Sequence, residues 1–348
     1  MRSKTLVSGI LLLFIIPIAI VTLDVALTPK PERVIKVLVT SDVHGRIFEE
    51  RPSGAIGYAK LRGYASRLRS QGNEVFLLDA GDCFTGSEVA AKDKGIGIAR
   101  LMRLMGYAGM TPGNHDFNYN TPENPLYLSN TLIREMAGEE PSSFAAVACN
   151  IRYGDAHAPG ISSEARTLYR APDTARHPLR IAFAGVTTPY AMYTEAPENM
   201  QGYDLGVRPA DPQDGRDRVD DAATKEHVLA LLRDSVSGFR QAGDIVIVLS
   251  HLGCEAKYPT HVSGRDVAAM DNAPFRIVID GHSHKGGNVE RINGVLYLNT
   301  RAYFRSFAEI TVRQYADGRT ETSVDKKTAS GLRTVPPDPK VAAFIRTL

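Results

Sequence analysis

Short apolar runs alternate with amphipathic stretches along most of the chain, and this alternation predicts an α/β fold. The apolar runs at 34–40, 74–78 and 245–249 have the length of buried strands. The stretches at 58–68 and 96–105 place apolar residues at helical spacing, with basic side chains on the other face. Because strand, helix and strand follow one another here, we expect the N-terminal strands to pair in parallel.

The same patterns predict further elements toward the C-terminus. An amphipathic helix is expected at 225–241, just before the strand at 245–249. The apolar runs at 295–298 and 307–312 alternate enough to suggest a terminal hairpin or meander, and the chain after residue 315 is mainly polar. The other predicted elements are strands at 145–149, 179–186 and 276–279, loops at 117–130, 153–176 and 190–220, and a short helix at 341–348.

Five short polar clusters each follow an apolar run. Because a buried strand delivers its last residue to a loop at the sheet edge, ligands far apart in sequence can converge there. Carboxylate, imidazole and amide ligands suit divalent ions such as Zn, Mn, Fe or Co. Two such ions are the apparatus of phosphate-ester hydrolysis. The clusters are Ser-Asp42-Val-His44-Gly, Gly-Asp82-Cys, Gly-Asn114-His115-Asp116, Ser-His251 and Gly-His282-Ser-His284.

Each cluster taken alone also has an ordinary structural interpretation. Asp42 and His44 suit a turn, as does the third cluster after its Pro-Gly pair. Asp82 suits a helix cap, and His251 suits a satisfied core histidine. The paired histidines of the last cluster have no evident packing use, and the coincidence of all five clusters with strand ends favours a shared metal site.

Composition describes an ordinary globular protein. The 348 residues are 43% hydrophobic and 23% charged, enough for one large α/β domain. A net charge of +2, from 41 basic and 39 acidic side chains, provides no strong field, so no nucleic acid partner is expected. The three cysteines, Cys83, Cys149 and Cys254, are too few for a disulfide framework.

The N-terminus carries a membrane-targeting pattern. Arg2 and Lys4 precede an uncharged apolar stretch at 5–23, which predicts either a cleaved signal peptide or a retained signal anchor within 1–28. Residues 29–33 are the expected linker. Both alternatives export the catalytic domain to the periplasm or cell surface, and only the retained anchor keeps it on the membrane.

The order of the polar clusters resembles that of the calcineurin-like metallophosphoesterases. The resemblance covers roughly 34–313. The motifs Ser-Asp-Val-His-Gly-Arg, Leu-Leu-Asp-Ala-Gly-Asp, Gly-Asn-His and Val-Leu-Ser-His-Leu-Gly are most similar to the catalytic domain of the 5′-nucleotidase branch. The resemblance implies a four-layer α/β/β/α sandwich of two mixed sheets, here preceded by the N-terminal hydrophobic helix. We place this domain at 34–315, followed by a C-terminal extension at 316–348.

The resemblance also implies roles for individual residues. Asp82 would bridge two divalent ions, and hydroxide between the ions would attack phosphorus. His115 would stabilise the transition state or protonate the leaving group. The remaining ligands would be Asp42, His44 and His284 for one ion, and Asn114, His251 and His282 for the other.

Two features depart from the 5′-nucleotidase pattern. That branch has an aspartate supporting the catalytic histidine where this chain has Asn118, and Asp116 is the candidate to take over its role. The base-binding C-terminal domain of two-domain members has no expected counterpart, so nucleotide specificity does not follow. Candidate phosphate contacts are Asn114, Arg46, Arg301 and Arg305, although the arginines equally suit a solvated surface; Tyr303 and Phe304 suit either base stacking or the core.

Three functions remain open from the sequence. The leading hypothesis is an exported phosphomonoesterase with a small phosphorylated substrate, for which nucleotides are one candidate. The same centre would support a phosphodiesterase acting on cyclic nucleotides, nucleotide sugars or lipid head groups. A non-catalytic, membrane-tethered metal or ligand binder is the alternative from another class.

Overall fold

The computed structural model describes residues 29–140, 143–208, 220–255 and 262–348, which form two mixed β-sheets and a small third one. The segment 1–28, with the predicted signal or anchor helix, lies outside the described residues. In the described part of the chain, no helix is long and apolar enough to cross a bilayer. The strands are β1 (Arg33–Thr40), β2 (Glu74–Asp79), β3 (Tyr107–Met110), β4 (Ala145–Val147), β5 (Arg152–Tyr153), β6 (Ala156–His157), β7 (Ile161–Ser162), β8 (Arg166–Arg170), β9 (Arg180–Thr187), β10 (Tyr203–Asp204), β11 (Asp244–His251), β12 (Ile277–Asp280), β13 (Glu290–Ile292), β14 (Val295–Asn299), β15 (Ser306–Gln314) and β16 (Thr320–Thr328).

Both large sheets have a parallel centre. The first sheet has the order β16-β15-β1-β2-β3-β4-β7, in which neighbours from β1 to β7 pair in parallel and β15 pairs antiparallel with β1 and β16. The second has the order β13-β14-β12-β11-β9-β8, with only the two outer pairs antiparallel. The expected parallel pairing of β1 with β2 is therefore confirmed.

The alternation of side chains along β1 shows how the layers divide. Ile35, Val37 and Val39 belong to the core between the two sheets, whereas Leu38 belongs to the core on the outer face of the first sheet. Each central strand is thus buried on both faces, which explains why these strands are continuous apolar runs rather than alternating ones.

Helices cover the two outer faces. Tyr58–Ser70 and Ile96–Met105 pack on the first sheet, and Asp221–Ser235 and Gly264–Ala268 pack on the second. The layers follow the order α/β/β/α, so the predicted four-layer sandwich is confirmed. The α-helices are α1 (Tyr58–Ser70), α2 (Glu88–Lys92), α3 (Ile96–Met105), α4 (Arg134–Ala137), α5 (Ala191–Thr194), α6 (Asp221–Ser235), α7 (Gly264–Ala268) and α8 (Pro339–Ile345), with short 3₁₀ turns at Asn114–Phe117, Pro197–Met200 and Ala329–Leu332 and a π-helix at Leu128–Ile133.

The bounds of one predicted helix are confirmed, and those of another differ by several residues. The helix expected at 96–105 has those bounds, whereas the one expected at 225–241 is α6, which starts at Asp221 and ends at Ser235. The Asp220 side chain caps α6 by accepting a hydrogen bond from the amide of Ala223. Gly238 and Gly243 disfavour helix beyond its end.

The predicted terminal hairpin or meander of the runs at 295–298 and 307–312 is wrong. The run at 295–298 is β14, which pairs with β12 in the second sheet, and the run at 307–312 is β15, which pairs with β1 in the first. Their connection therefore crosses from one sheet to the other. The true hairpin partner of β15 is β16, in which Val324 is the only buried residue, so β16 carries no apolar signature.

The C-terminal extension packs as part of the sandwich. Residues 320–328 extend the first sheet as β16, and the amide of Asp338 donates to the carbonyl of Ala59 in α1. Val341 and Ile345 of α8 are buried in the outer core of the first sheet. The boundary drawn after residue 315 thus falls between two paired strands.

Candidate metal centre

The predicted ligands converge where parallel strands of both sheets end. Loops at the carboxyl ends of parallel strands are the usual place for ligand sites in α/β proteins. Each of these strands is hydrogen-bonded to its neighbours up to its last residue. His251 lies within its paired strand, and the other ligands lie in the loops that follow theirs. β1 leads into Asp42 and His44, β2 into Asp82, β3 into Asn114, β11 ends in His251, and β12 leads into His282 and His284.

A first group of ligands surrounds one point. Asp42, His44, Asp82 and His284 each present a ligand atom, and these atoms all lie within 4.8 Å of one another. The Nε2 atoms of His44 and His284 are 3.0 Å apart, and His284 Nε2 lies 3.3 Å from Asp42 Oδ1. Two carboxylates and two imidazoles at this spacing form a ligand set for a borderline divalent ion.

A second group adjoins the first through Asp82. His251 Nε2 lies 3.1 Å from Asp82 Oδ2, and His282 Nδ1 lies 2.8 Å from Asn114 Oδ1. The rings of His251 and His282 have centroids 5.4 Å apart. Imidazole, amide and carboxylate therefore meet a second time beside the first group.

The buried carboxylate of Asp82 faces the ring of His251. Asp82 Oδ2 and His251 Nε2 are buried, and neither has a hydrogen-bond partner of proper geometry. His251 Nδ1 donates to the carbonyl of Ala80 at 2.6 Å, so the other ring nitrogen faces the carboxylate. Burial alone would lower the pKa of His251, but the charge of Asp82 raises it to about 10. These orphaned atoms fit a divalent cation, which would satisfy both.

Most ligand residues have an unusual backbone conformation. The φ angles of Asp42, His44, Asp82, His282 and His284 lie between 47° and 69°, in the left-handed region that side chains other than glycine rarely adopt. Such residues cost free energy and persist only where the surrounding structure holds them, typically at functional sites. The strain at these positions marks the ligand loops as specialised.

Two motif glycines allow the ligand loops to approach each other. A Cβ atom on Gly113 would lie 2.2 Å from Asp82 Oδ1, and one on Gly281 would lie 2.6 Å from Asp42 Oδ2. Real Cβ atoms do not approach other atoms so closely, so any larger residue would displace a carboxylate that we predict to bind metal. The motif therefore needs glycine at these two positions because a side chain would not fit beside the carboxylates.

Asp116 has contacts different from those predicted. Its carboxylate accepts hydrogen bonds from the backbone amides of Asp82 at 2.9 Å, Cys83 at 3.0 Å, Phe84 at 3.3 Å and Gly113 at 2.8 Å. It thus ties the loop after β2 to the turn after β3 and does not orient the ring of His115 as expected. Burial raises the pKa of Asp116 to about 6. A catalytic role for Asp116 stays a prediction.

Asp280 supports the ligand loops from below and was missed in the sequence. It accepts hydrogen bonds from Ser250 Oγ, Tyr297 Oη and Asn299 Nδ2, and from two amides of the loop after His251. Burial raises its pKa. Its sequence signal is a carboxylate at the end of an otherwise apolar strand, which calls for buried donors.

His115 stands at the open side of the centre. Its side chain is 44% exposed, and its ring centroid lies 5.6 Å from that of His44. Its backbone amide donates to Asp82 Oδ1 at 2.8 Å. Its Nδ1 atom lies 3.3 Å from Asn118 Oδ1 and 3.6 Å from Glu195 Oε1. Both of these contacts orient the ring through Nδ1, and neither involves Nε2.

Glu195 is the second residue that the sequence did not reveal. It follows α5 in the loop after β9, and Oε1 accepts a hydrogen bond from Asn114 Nδ2 at 2.7 Å. Its side chain is 3% exposed, and this burial raises the pKa of Glu195 above its ordinary value. An isolated acidic residue in a long loop carries no sequence signal for such a position.

The predicted substrate contacts lie in different places. Tyr303 is partly exposed, with its ring 5.5 Å from that of His44 and 5.3 Å from that of His284. The guanidinium carbons of Arg46 and Arg305 lie 5.8 Å and 5.6 Å from the Tyr303 ring centroid.

The other two residues of this set are positioned by packing. Arg301 is exposed, and its side chain packs closely against Gly286. Phe304 is fully buried in the outer core of the first sheet, 5.0 Å from the ring of Tyr58, so the core interpretation applies to it.

Known proteins are similar to this chain in sequence and in architecture. The sequence model of the calcineurin-like phosphoesterases matches residues 35–286. The 5′-nucleotidase of Bos taurus is 25% identical over 260 residues, 71% of this chain and 38% of that protein. The 5′-nucleotidase of Vibrio cholerae is 26% identical over 258 residues, 72% of this chain and 40% of that protein. This chain thus spans about two fifths of the length of these curated relatives.

A solved structure shows the same fold over nearly the whole chain. The calcineurin-like phosphoesterase YfkN of Bacillus subtilis superposes with a TM-score of 0.66, covering 91% of this chain and 97% of that one. The identity is 16%, so this likeness concerns the fold alone. The family match covers well over half of the sequence. The chain therefore belongs to the calcineurin-like phosphoesterases, a family of metal-dependent phosphoester hydrolases.

Proposed function

We propose that this protein is an exported phosphomonoesterase that uses two divalent metal ions and accepts nucleotides among its substrates. One observation carries the proposal: Asp82 Oδ2 is buried without a hydrogen bond, 3.7 Å from His44 Nε2 and 3.1 Å from His251 Nε2. A single carboxylate oxygen between two sets of ligands is what a bridging ligand requires.

The two ligand sets divide around this oxygen. Asp42, His44 and His284 would hold one ion, while Asn114, His251 and His282 would hold the other. The donor types suit Zn, Mn, Fe or Co. Two carboxylates against two divalent cations leave net positive charge, which attracts a phosphate dianion to an otherwise nearly neutral protein.

The protein residues around the centre have separate tasks. The metal ions, when bound, polarise the phosphoryl oxygens and activate water as the nucleophile. His115, on the open side, would protonate the leaving oxygen or stabilise its developing charge. Arg46 and Arg305, held beside Tyr303, would contact the substrate at the rim. Arg301 stays a candidate contact.

Substrate class and export have their own support. Two relatives are named 5′-nucleotidases, which supports a nucleotide monoester as substrate. The apolar pattern at 5–23 supports export, with attachment to the membrane if the segment is retained. Small phosphorylated molecules are the expected partners, in the periplasm or at the cell surface.

Asp82→Asn provides the direct test. The full-length chain would be stripped of metal, resupplied with Zn, Mn, Co or Fe, and assayed on phosphate mono- and diesters. Since even residues behind a metal ligand are worth 10–100-fold, we expect Asp82→Asn to lose roughly 100-fold or more of kcat/KM. The exposed Asp155→Asn is the matched control and should retain wild-type turnover.

The same assay distinguishes the alternatives. Higher kcat/KM on diesters than on monoesters would replace our proposal with a phosphodiesterase. Stoichiometric metal binding without turnover of any ester would indicate a non-catalytic metal or ligand binder. Turnover that survives both chelation and Asp82→Asn would contradict a metal mechanism altogether.

A further inference from the structure

The ring of His115 has two oxygen acceptors on its Nδ1 side, and only one of them belongs to an ionisable carboxyl group. Asn118 Oδ1 lies 3.3 Å from Nδ1, and Glu195 Oε1 lies 3.6 Å from it. Two oxygen acceptors on this side favour a hydrogen on Nδ1. A proton that His115 passes to substrate is then carried on Nε2, the opposite ring nitrogen. Asn118 can orient the ring, but it cannot stabilise positive charge on it as a carboxylate does.

The burial of Glu195 requires an explanation of its own. Its side chain is 3% exposed, and within the described ranges the carboxylate forms no ion pair with a lysine or arginine. Burying a charge is costly unless it is hydrogen-bonded and paired. The hydrogen bond from Asn114 Nδ2 at 2.7 Å needs only a carbonyl oxygen, which glutamine would also provide. Of its neighbours Asn114 and His115, only His115 can pair with a negative charge on this carboxyl group.

The loop that carries Glu195 holds it in place. The amide of Glu195 donates to the carbonyl of Ala191 at 3.1 Å, which closes the turn after α5. Asn118 Oδ1 lies 3.3 Å from the same His115 Nδ1 atom that Glu195 Oε1 approaches to 3.6 Å. Glu195 and Asn118 thus meet next to the same ring nitrogen from chain segments that are far apart in sequence.

We propose that Glu195 is a positioning residue for His115, and that it supplies from the loop after β9 the negative charge that residue 118 lacks in this chain. This inference rests on the proposed phosphoesterase function. Hydrolysis breaks the bond from phosphorus to the leaving oxygen and forms one to the oxygen of water. The leaving oxygen takes the proton from His115 Nε2. One hydrogen of the water stays with the phosphate, and the other restores the proton to His115.

The substrate's leaving group provides a readout that a purely structural role would not affect. A 4-nitrophenolate leaves without a proton, whereas the alkoxide of a nucleoside 5′-monophosphate needs one. For Glu195→Gln, we expect kcat/KM on the nucleotide to fall about 10- to 100-fold, because positioned general acids are worth at least that much. On 4-nitrophenyl phosphate we expect a loss below about 3-fold.

A second substitution returns a carboxylate to the same Nδ1 side of the ring from residue 118. Asn118→Asp added to Glu195→Gln places a carboxylate where Asn118 now contacts His115, and it should restore most of the nucleotide activity. Glu198→Gln, an exposed glutamate three residues further along, is the matched control and should leave both activities unchanged. Metal content, measured on each purified variant, should stay at the wild-type level because glutamine keeps the oxygen that Asn114 contacts.

Each outcome has a defined meaning. Selective loss on the nucleotide with rescue by Asn118→Asp establishes the positioning role. Equal losses on both substrates, absence of rescue, or a fall in metal content parallel to activity would overturn it in favour of a support for Asn114. If the wild-type enzyme turns over neither ester, the proposed function itself fails and this inference fails with it, whereas wild-type turnover with an unaffected Glu195→Gln refutes the inference alone.

Discussion

At the scale of single residues, the candidate metal centre combines strained backbone with buried charge. Five ligand residues lie in the left-handed region, and motif glycines leave no room for a side chain beside them. Burial would make the carboxylates of this centre costly without compensating cations. Backbone strain and buried charge both lower the stability of the fold, and bound cations would offset the cost of the charge.

Sequence patterns could predict such residues only where a strand end identifies them. The seven predicted ligands each follow an apolar run, and the structure brings them together. Glu195 was not predictable, because its contact with Asn114 joins residues 81 positions apart through the path of a loop. Asp280 was not predicted, because it lies between the apolar run at 276–279 and the polar cluster that begins at Gly281, and its partners come from other segments of the chain.

A buried carboxylate away from the centre predicts a pH effect on stability. The side chain of Glu309 is 3% exposed and lies 2.7 Å from Lys36 Nζ. Burial alone would raise the pKa of Glu309, but hydrogen bonds from Lys36 and Tyr64 hold it below the ordinary value of 4.5. A lowered pKa in the folded state stabilises the fold above the unfolded pKa, and this contribution is lost as pH falls through the folded pKa.

Glu309→Gln should therefore destabilise the protein at neutral pH and flatten its acid profile. We expect a loss of about 1–3 kcal/mol in the free energy of unfolding at pH 7, because Lys36 keeps its charge without a carboxylate partner. Below the ordinary glutamate pKa the difference from wild type should shrink. Urea unfolding across this pH range provides the measurement. Exposed Glu123→Gln is the control, and a difference that does not change with pH would contradict the argument.

At the scale of elements, buried carboxylates connect each ligand loop to a neighbouring strand end or turn. Asp116 receives amide hydrogen bonds from the loop after β2 and from the turn after β3, and Asp280 does the same for the loop after β11. Apolar periodicity predicted the strands because it reports burial of the elements themselves. It could not predict these connections, because they depend on which strand ends become neighbours.

Asp116→Asn tests whether Asp116 acts in catalysis or connects the loop after β2 to the turn after β3. Asparagine offers one acceptor oxygen to four amides, so we expect the loops to separate and metal affinity to fall about 10- to 100-fold, as for other residues behind metal ligands. Activity should fall in parallel and recover with excess metal. Metal titration of the variant beside Asp155→Asn measures this. Full metal affinity with activity still lost would instead support the catalytic role predicted from the sequence.

At the scale of the whole molecule, the centre depends on both sheets at once. Ligands from β1, β2 and β3 belong to the first sheet, and those from β11 and β12 belong to the second. The four-layer order followed from the family resemblance and is confirmed. The expected hairpin failed because the segment between β14 and β15 crosses between the sheets and carries Tyr303 to the centre.

The C-terminal segment should be indispensable for this assembly. Leu332, Val335, Val341 and Ile345 are at most 5% exposed in the outer core of the first sheet. Full burial of each such side chain stabilises by about 1.5–3 kcal/mol, so their joint loss approaches the about 5–15 kcal/mol stability of a whole domain. We expect a chain ending at residue 315 to lose its cooperative thermal transition, as followed by circular dichroism.

A point substitution tests the buried side chains of this segment without shortening the chain. Leu332→Ala should destabilise by about 2–5 kcal/mol because it leaves a cavity in the outer core of the first sheet, whereas Leu104→Ala, at a position 42% exposed, should change stability little. If the shortened chain kept a cooperative transition and bound metal, residues 316–348 would be an appendage, as first drawn from the sequence. Loss of stability in both variants would mean that the C-terminal segment is part of the folded domain. The metal centre would then depend on a first sheet that β16 completes and α8 covers.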